Sequence, residues 1–452
     1  MDHHIESLFT QLRRDAVLLH RPYPPFLAKG GSSKLGGLPN LPADVAWPRM
    51  KNGTPLHFLA QINCRHLPFR CSLPDHGLLF FFGLDNDEQV WDEDVLGEKG
   101  YRVIFAADAD GSDPKRSTPH DLAPIGGIYT RPGHEPFFDN TEARPNVHCE
   151  WPIELRRMDS WPDASALTDR DLGLPFRDPM LRLLLLMAED TEEQRLSDQE
   201  DNMRRAYDVA LAPRRAAAFR EAAAYGLPEA PDWRQQSMEE RQQVARIMDS
   251  QGSSAWPTHW ATIGYFGRAL RKQWQFGTRD CRTTADDRFV AIAGEWIQRA
   301  DQAGAAAKVN STCLADFRAW ALAGPGTKSA LARSYSSMFT DCMLNATLAT
   351  VRCFAHDRDL ASQIPPVVYQ ELAYRFQGNS VWGVKFSQML GYAPSSQQAM
   401  MTDDPDICLL SLASEDALGW MFGDVGEATF WIAPDALARR NFDAVQAVVE
   451  GG

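Results

Sequence analysis

Apolar and polar positions change rhythm twice along the chain. Up to about residue 175, short apolar runs stand between clusters of proline, glycine and polar residues, which is the pattern of β-strands bounded by turns. Leu56-His57-Phe58-Leu59-Ala60-Gln61-Ile62, Gly77-Leu78-Leu79-Phe80-Phe81-Phe82-Gly83 and Tyr101-Arg102-Val103-Ile104-Phe105 are the strand candidates. The second is apolar on both sides, so it belongs in a sheet covered on both faces. From about Asp178 the chain turns to Ala, Leu, Arg, Glu and Gln, which favour helix. Phe289, Ala293, Trp296 and Ala300 recur at i, i+4, i+7 and i+11, with Asp286 near the start and Gly304 after the end, so a helix is predicted there. Leu331, Tyr335, Met338 and Cys342 repeat the pattern, and Pro366 to Phe376 is a further candidate that Gly378 stops. The run Leu181 to Met187, followed by Glu189 and Asp190, reads as the start of a buried helix. After Gly378 the β-texture returns with strands at Ile407 to Leu412 and Glu427 to Ile432, and Ala433-Pro434-Asp435 opens a short helix.

These patterns predict an α+β protein with a β-rich part at 1–177, a mostly helical segment at 178–378 and a second β-rich part at 379–452. The two β-rich parts echo each other. Leu35-Gly36-x-x-Pro39 precedes a strand, a polar stretch and the Gly77 strand, while Leu390-Gly391-x-x-Pro394 precedes Ile407 to Leu412, Ser414-Glu415-Asp416 and the strand after Gly426. A duplicated β-unit is therefore expected, its copies separated by the helical segment.

Composition adds a large aromatic supply, 13 Trp and 23 Phe within 44% hydrophobic residues. No apolar run approaches the roughly 18–20 residues that span a bilayer, so no membrane is expected. The start, MDHHIESLFTQLRRD, lacks the basic and then apolar regions of a signal peptide, and eight scattered cysteines suit reduced thiols, so a cytoplasmic location is expected. Net charge is −14 and unevenly spread: Asp85 to Glu98 holds seven carboxylates, and Phe386 to Ala438 eight, with no Lys or Arg in either. Such blocks repel nucleic acid and attract a basic partner, or they simply keep the surface solvated.

The motifs that could carry chemistry are incomplete. Cys64, His66, Cys71 and His76 offer zinc-type ligands, but the cysteine spacing is too wide for a knuckle, and Cys342, Cys353 and His356 fall on apolar helical positions, so no metal is expected. Lys29 to Gly37 is a glycine-rich turn without the ending of a P-loop, and Ser32 lacks the glycine context of a nucleophile elbow. Asp85-Asn86-Asp87-Glu88 begins like a calcium loop but has Val90 and Leu96 where glycine and glutamate are required. Asp424 reads as a turn residue or, with His57, as a catalytic pair.

Ser33-Lys34-Leu35-Gly36-Gly37-Leu38-Pro39, Trp47-Pro48, Pro55 to Asn63, Leu67-Pro68 and Leu73 to Phe82 together resemble the YwqG-like family, a bacterial domain of unknown function. At the other end Leu390-Gly391-Tyr392, Cys408 to Leu412, Phe422 to Gly426, Phe430-Trp431-Ile432 and Asn441-Phe442-Asp443 continue the likeness, with Ser411 and Phe422 departing from the family pattern. The resemblance covers about 1–175 and 379–452 and leaves the helical middle outside. It implies a compact α+β scaffold without established catalytic residues, and some members of the family resemble immunity proteins of bacterial toxin systems.

The resulting expectation is a non-catalytic immunity protein, without cofactor or direct nucleic-acid binding, that neutralises a cognate toxin, in the first instance a basic nuclease. An acidic inhibitor gains steered association with such a partner. Its binding residues are expected to be Asp85, Asp87, Glu88, Trp91, Asp92, Glu93 and Asp94 in the first acidic block, and Asp403, Asp404, Asp406, Glu415 and Asp416 in the second. Trp91 either anchors the partner or packs inward from an edge strand. The alternative is an enzyme or small-molecule sensor with His57, Asn63 and Asp424 in a cleft between the two β-rich units.

Overall fold

The computed structural model describes residues 3–22, 25, 32–86, 89–91, 93–126, 145–162, 181, 184–185, 187–188, 247–248, 256–276, 283–326, 331, 335–365, 368–369, 387–392, 406–415, 418–423 and 426–451. The chain forms two compact units, Met1–Gly127 with Pro145–Tyr207 and Tyr374–Gly452, and Ile128–Arg144 with Asp208–Ala373. The architecture is α+β with two antiparallel sheets, as the alternating textures predict.

The first unit holds every described strand: β1 (Arg14–His20), β2 (Lys34–Leu35), β3 (His57–Asn63), β4 (Leu78–Gly83), β5 (Tyr101–Ala106), β6 (Trp151–Pro152), β7 (Glu154–Ser160), β8 (Gln388–Leu390), β9 (Ile407–Ala413), β10 (Glu427–Ile432) and β11 (Gln446–Glu450). One sheet runs β5-β4-β3-β2-β6 and the other β11-β10-β9-β8-β1-β7. Helix α1 (His3–Leu12) precedes β1, and its Ile5 packs on Leu181 and Leu185. β4 is buried throughout, and alternation explains why. Phe81 meets Phe430 of the other sheet at 5.2 Å, while Leu78, Phe80 and Phe82 face the opposite way onto Leu41, Met50, Leu56 and Phe58.

The duplication extends to individual hydrogen bonds. β3–β4 pairs Phe58 with Phe82 and Ala60 with Phe81, leaving Leu59 as an extra residue; β9–β10 pairs Cys408 with Trp431 and Leu410 with Phe430, leaving Leu409. Ser33 Oγ accepts the Asn63 amide at 2.9 Å, and Ser387 Oγ accepts that of Ala413 at 3.1 Å. Cys64 N donates to Gly77 O at 3.0 Å, as Ser414 N does to Gly426 O at 3.0 Å. The sequence echo is offset by one residue from this equivalence: Gly36 and Gly37 (φ 59° and 71°) correspond to Leu390 and Gly391 (φ 62° and 67°). Both copies thus place two successive residues in the left-handed region, and the second copy tolerates a leucine at the first of them.

The copies also exchange strands. β1 precedes the first copy but pairs with β8 of the second, whereas β6 precedes the second copy but pairs with β2 of the first. The registers correspond, since Leu19 N donates to Ser387 O at 3.0 Å and Ile153 N to Ser33 O at 3.1 Å. The left-handed turns allow this close approach. A Cβ on Gly391 would lie 2.7 Å from both Ala16 Cβ and Ser160 Cβ, and one on Gly37 would lie 2.6 Å from Glu150 Cβ.

In the second unit, α3 (Trp260–Phe276), α4 (Thr284–Ala303), α5 (Ser311–Ala323), α6 (Tyr335–Phe354) and α7 (Arg358–Ala361) surround an aromatic core of Phe266, Phe289, Trp296 and Phe317. Thr283 and Asp286 form a capping box at the start of α4, and its inward stripe is the predicted Phe289, Ala293, Trp296 and Ala300 with Ile297 added. The candidate at Pro366 to Phe376 lies outside the described residues except for Val368 and Tyr369.

Gly391→Ala is expected to lower folding stability by about 2–4 kcal/mol, because left-handed strain and a steric clash act together. Gly53→Ala, at φ 93° with nothing within 4 Å of the new methyl, should cost less. Urea unfolding of the two variants measures the difference.

Candidate functional site

The acidic segment between β4 and β5 divides into inward and outward side chains. Asp85, Gln89, Trp91 and Glu98 are buried, whereas Glu93, Asp94 and Val95, on the short helix α2 (Glu93–Leu96), are exposed, Val95 by 69%. Trp91 therefore takes the inward of its two expected positions. Its indole Nε1 donates to Leu84 O at 2.7 Å, and its ring lies against Phe430 at 5.5 Å, over a space that Gly83 leaves by having no side chain. Glu98 accepts the backbone amides of Lys51 and Asn52. Asp85 and Glu415, expected on the acidic face, are instead 5% and 7% exposed, because each has an internal cationic or imidazole partner. Asp406 is half-buried, and Asp87, Glu88, Asp92, Asp403, Asp404 and Asp416 lie outside the described residues.

The inward side chains join a polar cluster in the interior of the first unit. Asp85 follows the end of β4, and its Oδ2 lies 3.1 Å from His148 Nε2, off the line of an ideal hydrogen bond. Gln89 Nε2 donates to Asp85 Oδ1 at 3.1 Å, and Gln89 Oε1 accepts the Gly423 amide at 3.0 Å, which ties the segment to the second copy. His148 is placed by the exchanged strand: its carbonyl accepts the Gly37 amide at 2.9 Å, and a Cβ on Gly36 would press on the Cys149 carbonyl and the His148 Cβ. Its ring stands edge-on to Trp420 at 5.6 Å. Trp420 and Glu415 exchange both backbone hydrogen bonds, and the Glu415 carboxylate holds Arg21, whose guanidinium lies over Trp151 at 5.5 Å.

His57, at the start of β3, is fixed in one tautomer. Nδ1 accepts the Asp85 amide at 3.2 Å, so Nε2 carries the proton and donates to Ala123 O at 2.9 Å. Burial lowers its pKa, Asp85 opposes that shift and His148 adds to it. With both ring nitrogens bonded, His57 is committed to structure. Burial raises the Asp85 carboxyl, but the close approach of His148, helped by His57 and Gln89, brings it below the ordinary value. Asn63 does not join His57. It stands at the other end of β3, roughly 20 Å away along the strand, bonded to Ser32 and Asp110, and Asp424 lies outside the described residues.

The thiols and metal candidates stay apart. Among the described residues no group of three or more metal-ligating side chains comes together. Burial pushes the Cys64 thiol up to about 12 and raises that of Cys71, while His76 bonds Asp75. No described helix is long and apolar enough to cross a membrane. The sequence reading missed Arg21, Gln89, His148 and Trp420. Gly36-Gly37, which lets the 148–150 backbone approach, and Gly83, which seats Trp91, were the available signals.

A buried His57 with a lowered pKa gives a definite pH dependence. The unfolded chain takes up its proton near pH 6.5, above the folded value, so stability is full above that pH and falls as pH drops through it. Denaturant midpoints should therefore decline from pH 7.5 to 5.5, and His57→Gln should flatten that part of the profile. Asp85 adds its loss only at lower pH, beginning as pH falls into the usual carboxylate range and continuing below it.

The family model described as a domain of unknown function, DUF1963, matches residues 33–249 and 327–450, about three quarters of the 452 residues. No curated protein matches the chain. The matched stretches contain β2 to β11, His57, Asp85, His148 and Trp420, and Arg21 falls before them. The match runs on to 249 and resumes at 327, so residues 250–326, which carry α3 to α5, lie between its two parts. The chain belongs to the DUF1963 family of domains of unknown function.

Proposed function

We propose that this chain, a YwqG-like member of its family, is a stoichiometric binding protein that neutralises a basic partner in the cytoplasm. The partner class is a cognate toxin, in the first instance a nuclease, and the chain acts as its immunity protein. The observation that carries this reading is the anchoring of the acidic segment. Asp85, Gln89, Trp91 and Glu98 fix it from within, while Glu93, Asp94 and Val95 face outward. A charged surface held in one conformation loses little entropy on binding, and it steers a cationic partner into place. Val95 supplies an apolar contact among the carboxylates. A nuclease must be basic where it holds phosphates, which an acidic inhibitor of net charge −14 complements.

A second reading, a small-molecule sensor, is favoured by the buried cluster of Arg21, His148 and Trp420 rather than by the expected set of His57, Asn63 and Asp424.

The test uses the product of the adjacent gene, co-expressed with the chain and assayed for toxicity and for 1:1 capture. Glu93→Lys with Asp94→Lys should leave stability within about 0.5 kcal/mol, both sites being exposed. The same pair should slow association at low salt by roughly tenfold or more and abolish protection. Capture and protection unchanged by the double reversal would count against this surface, and no capture by the native chain would count against the inhibitor reading.

A further inference from the structure

β11 ends its sheet, and strand alternation decides which of its backbone groups face away from β10. Gly426 O accepts the Ser414 amide on the β9 side, so Glu427 and Thr429 turn their groups towards β11, where they oppose Glu450 and Val448. Ala447 and Val449 therefore point their amides and carbonyls outward. Lys99 marks the same side, since its Nζ donates at 2.8 Å to the carbonyl of Val445, which leads into the strand. Among the described residues no hydrogen bond reaches Ala447 or Val449 on that edge. The other described edges are blunted against further pairing. β7 carries the ion pairs Arg13–Asp159, Arg157–Asp15 and Arg156–Glu154, and β6 is two residues long and contains Pro152. β5 is flanked by the 442–444 turn, with Phe105 against Phe442 at 5.4 Å and Arg102 paired with Asp443 at 3.2 Å. Gln446–Glu450 has no such device: Ala447, Val448 and Val449 are half-buried, and the single charged residue, Glu450, is 2% exposed.

We propose that β11 pairs antiparallel with β11 of a second molecule of this chain, about a two-fold axis at Val448. In that register Ala447 of each molecule faces Val449 of the other, so every outward amide and carbonyl of the two residues is hydrogen-bonded, and Val448 meets its own counterpart across the axis. Gln446 faces Glu450 of the other molecule, so a neutral amide opposes the strand's carboxylate and no like charges meet. An axis at Ala447 would call on Val445 O, which Lys99 already holds, and an axis at Val449 would set the Glu450 carboxylate against Val448. A strand from a basic partner is disfavoured here, because the Lys99 ammonium stands at the head of the edge. The surface is therefore separate from Glu93 and Asp94, and the inference does not rest on the toxin reading. Two chains of net charge −14 repel each other, so this association strengthens as salt screens the repulsion, the opposite of capture of a basic partner.

The experiment is sedimentation equilibrium of the full chain alone, in about 50 mM and about 500 mM sodium chloride. A five-residue pairing lies at the small end of interface sizes, so a monomer–dimer equilibrium with Kd on the order of 10–100 μM is expected, tighter at the higher salt. Val449→Pro removes an outward amide that the β10 ladder does not use, and should weaken the dimer at least tenfold while far-UV circular dichroism stays native. Gln446→Glu, at an exposed position, sets a second carboxylate opposite Glu450 and should weaken the dimer several-fold, more so at low salt. If Val449→Pro fails to fold, Gln446→Glu decides. A monomer at every concentration up to about 300 μM in both salts would overturn the proposal. A dimer that Gln446→Glu and a folded Val449→Pro leave unchanged would overturn the assignment to β11. A monomeric chain whose capture of the adjacent gene's product is lost in Val449→Pro would give the edge to that partner instead of a second molecule.

Discussion

The reciprocal exchange of β1 and β6 is the constraint on which the first unit depends. Neither copy of the repeated meander completes its own sheet, because the strand that leads into each one hydrogen-bonds to the other. Exchange on this scale requires the incoming backbone to pass close to the first strand of each meander. The two left-handed residues just after β2 and at the end of β8 provide that room, and a Cβ at Gly37 or Gly391 would occupy it. The duplication is therefore a single cooperative assembly whose halves are linked through their backbones.

That exchange also assembles the polar interior. His148 lies on the segment leading into β6, so the same backbone approach that completes the first sheet brings an imidazole to Asp85 at the end of β4. Arg21 follows β1 and meets Glu415 from the second copy, and Gln89 reaches Gly423. Charged groups in such surroundings are tolerated only when paired, because an isolated buried charge is costly. The acidic segment is thus rooted in the interior through Asp85 and Glu98 and presents Glu93 and Asp94 outside.

Local pattern made the elements legible. The uninterrupted apolar run of β4, the 3.6-residue stripe of α4 and the proline-led start of α8 (Pro434–Ala438) all follow from short-range rules that need no tertiary information. The duplication was legible too, but only to within one residue, because Leu390 occupies a left-handed position that glycine usually marks. The site was not legible. Asp85 and Glu415 read as surface residues, and Trp91 as either outward or inward, because charge density along a sequence does not say which way a side chain faces. The partners that draw them inward are also remote: His148 is 63 positions from Asp85, and Arg21 is 394 from Glu415. Nor did a lack of helix-breaking signals reveal that the family pattern continues through much of the helical segment.

The central claim is that the acidic segment is held from within before any partner arrives. Amide hydrogen exchange on the free chain tests it most directly. The Asp85 amide bonded to His57, the Gln89 amide bonded to Asn86 and the Gly97 amide bonded to Glu93 report on successive points of the segment. Protection at Asp85 comparable to that of β4, with measurable slowing at Gln89 and Gly97, is the predicted result. Exchange of all three at the rate of an unstructured peptide would contradict a preorganised surface.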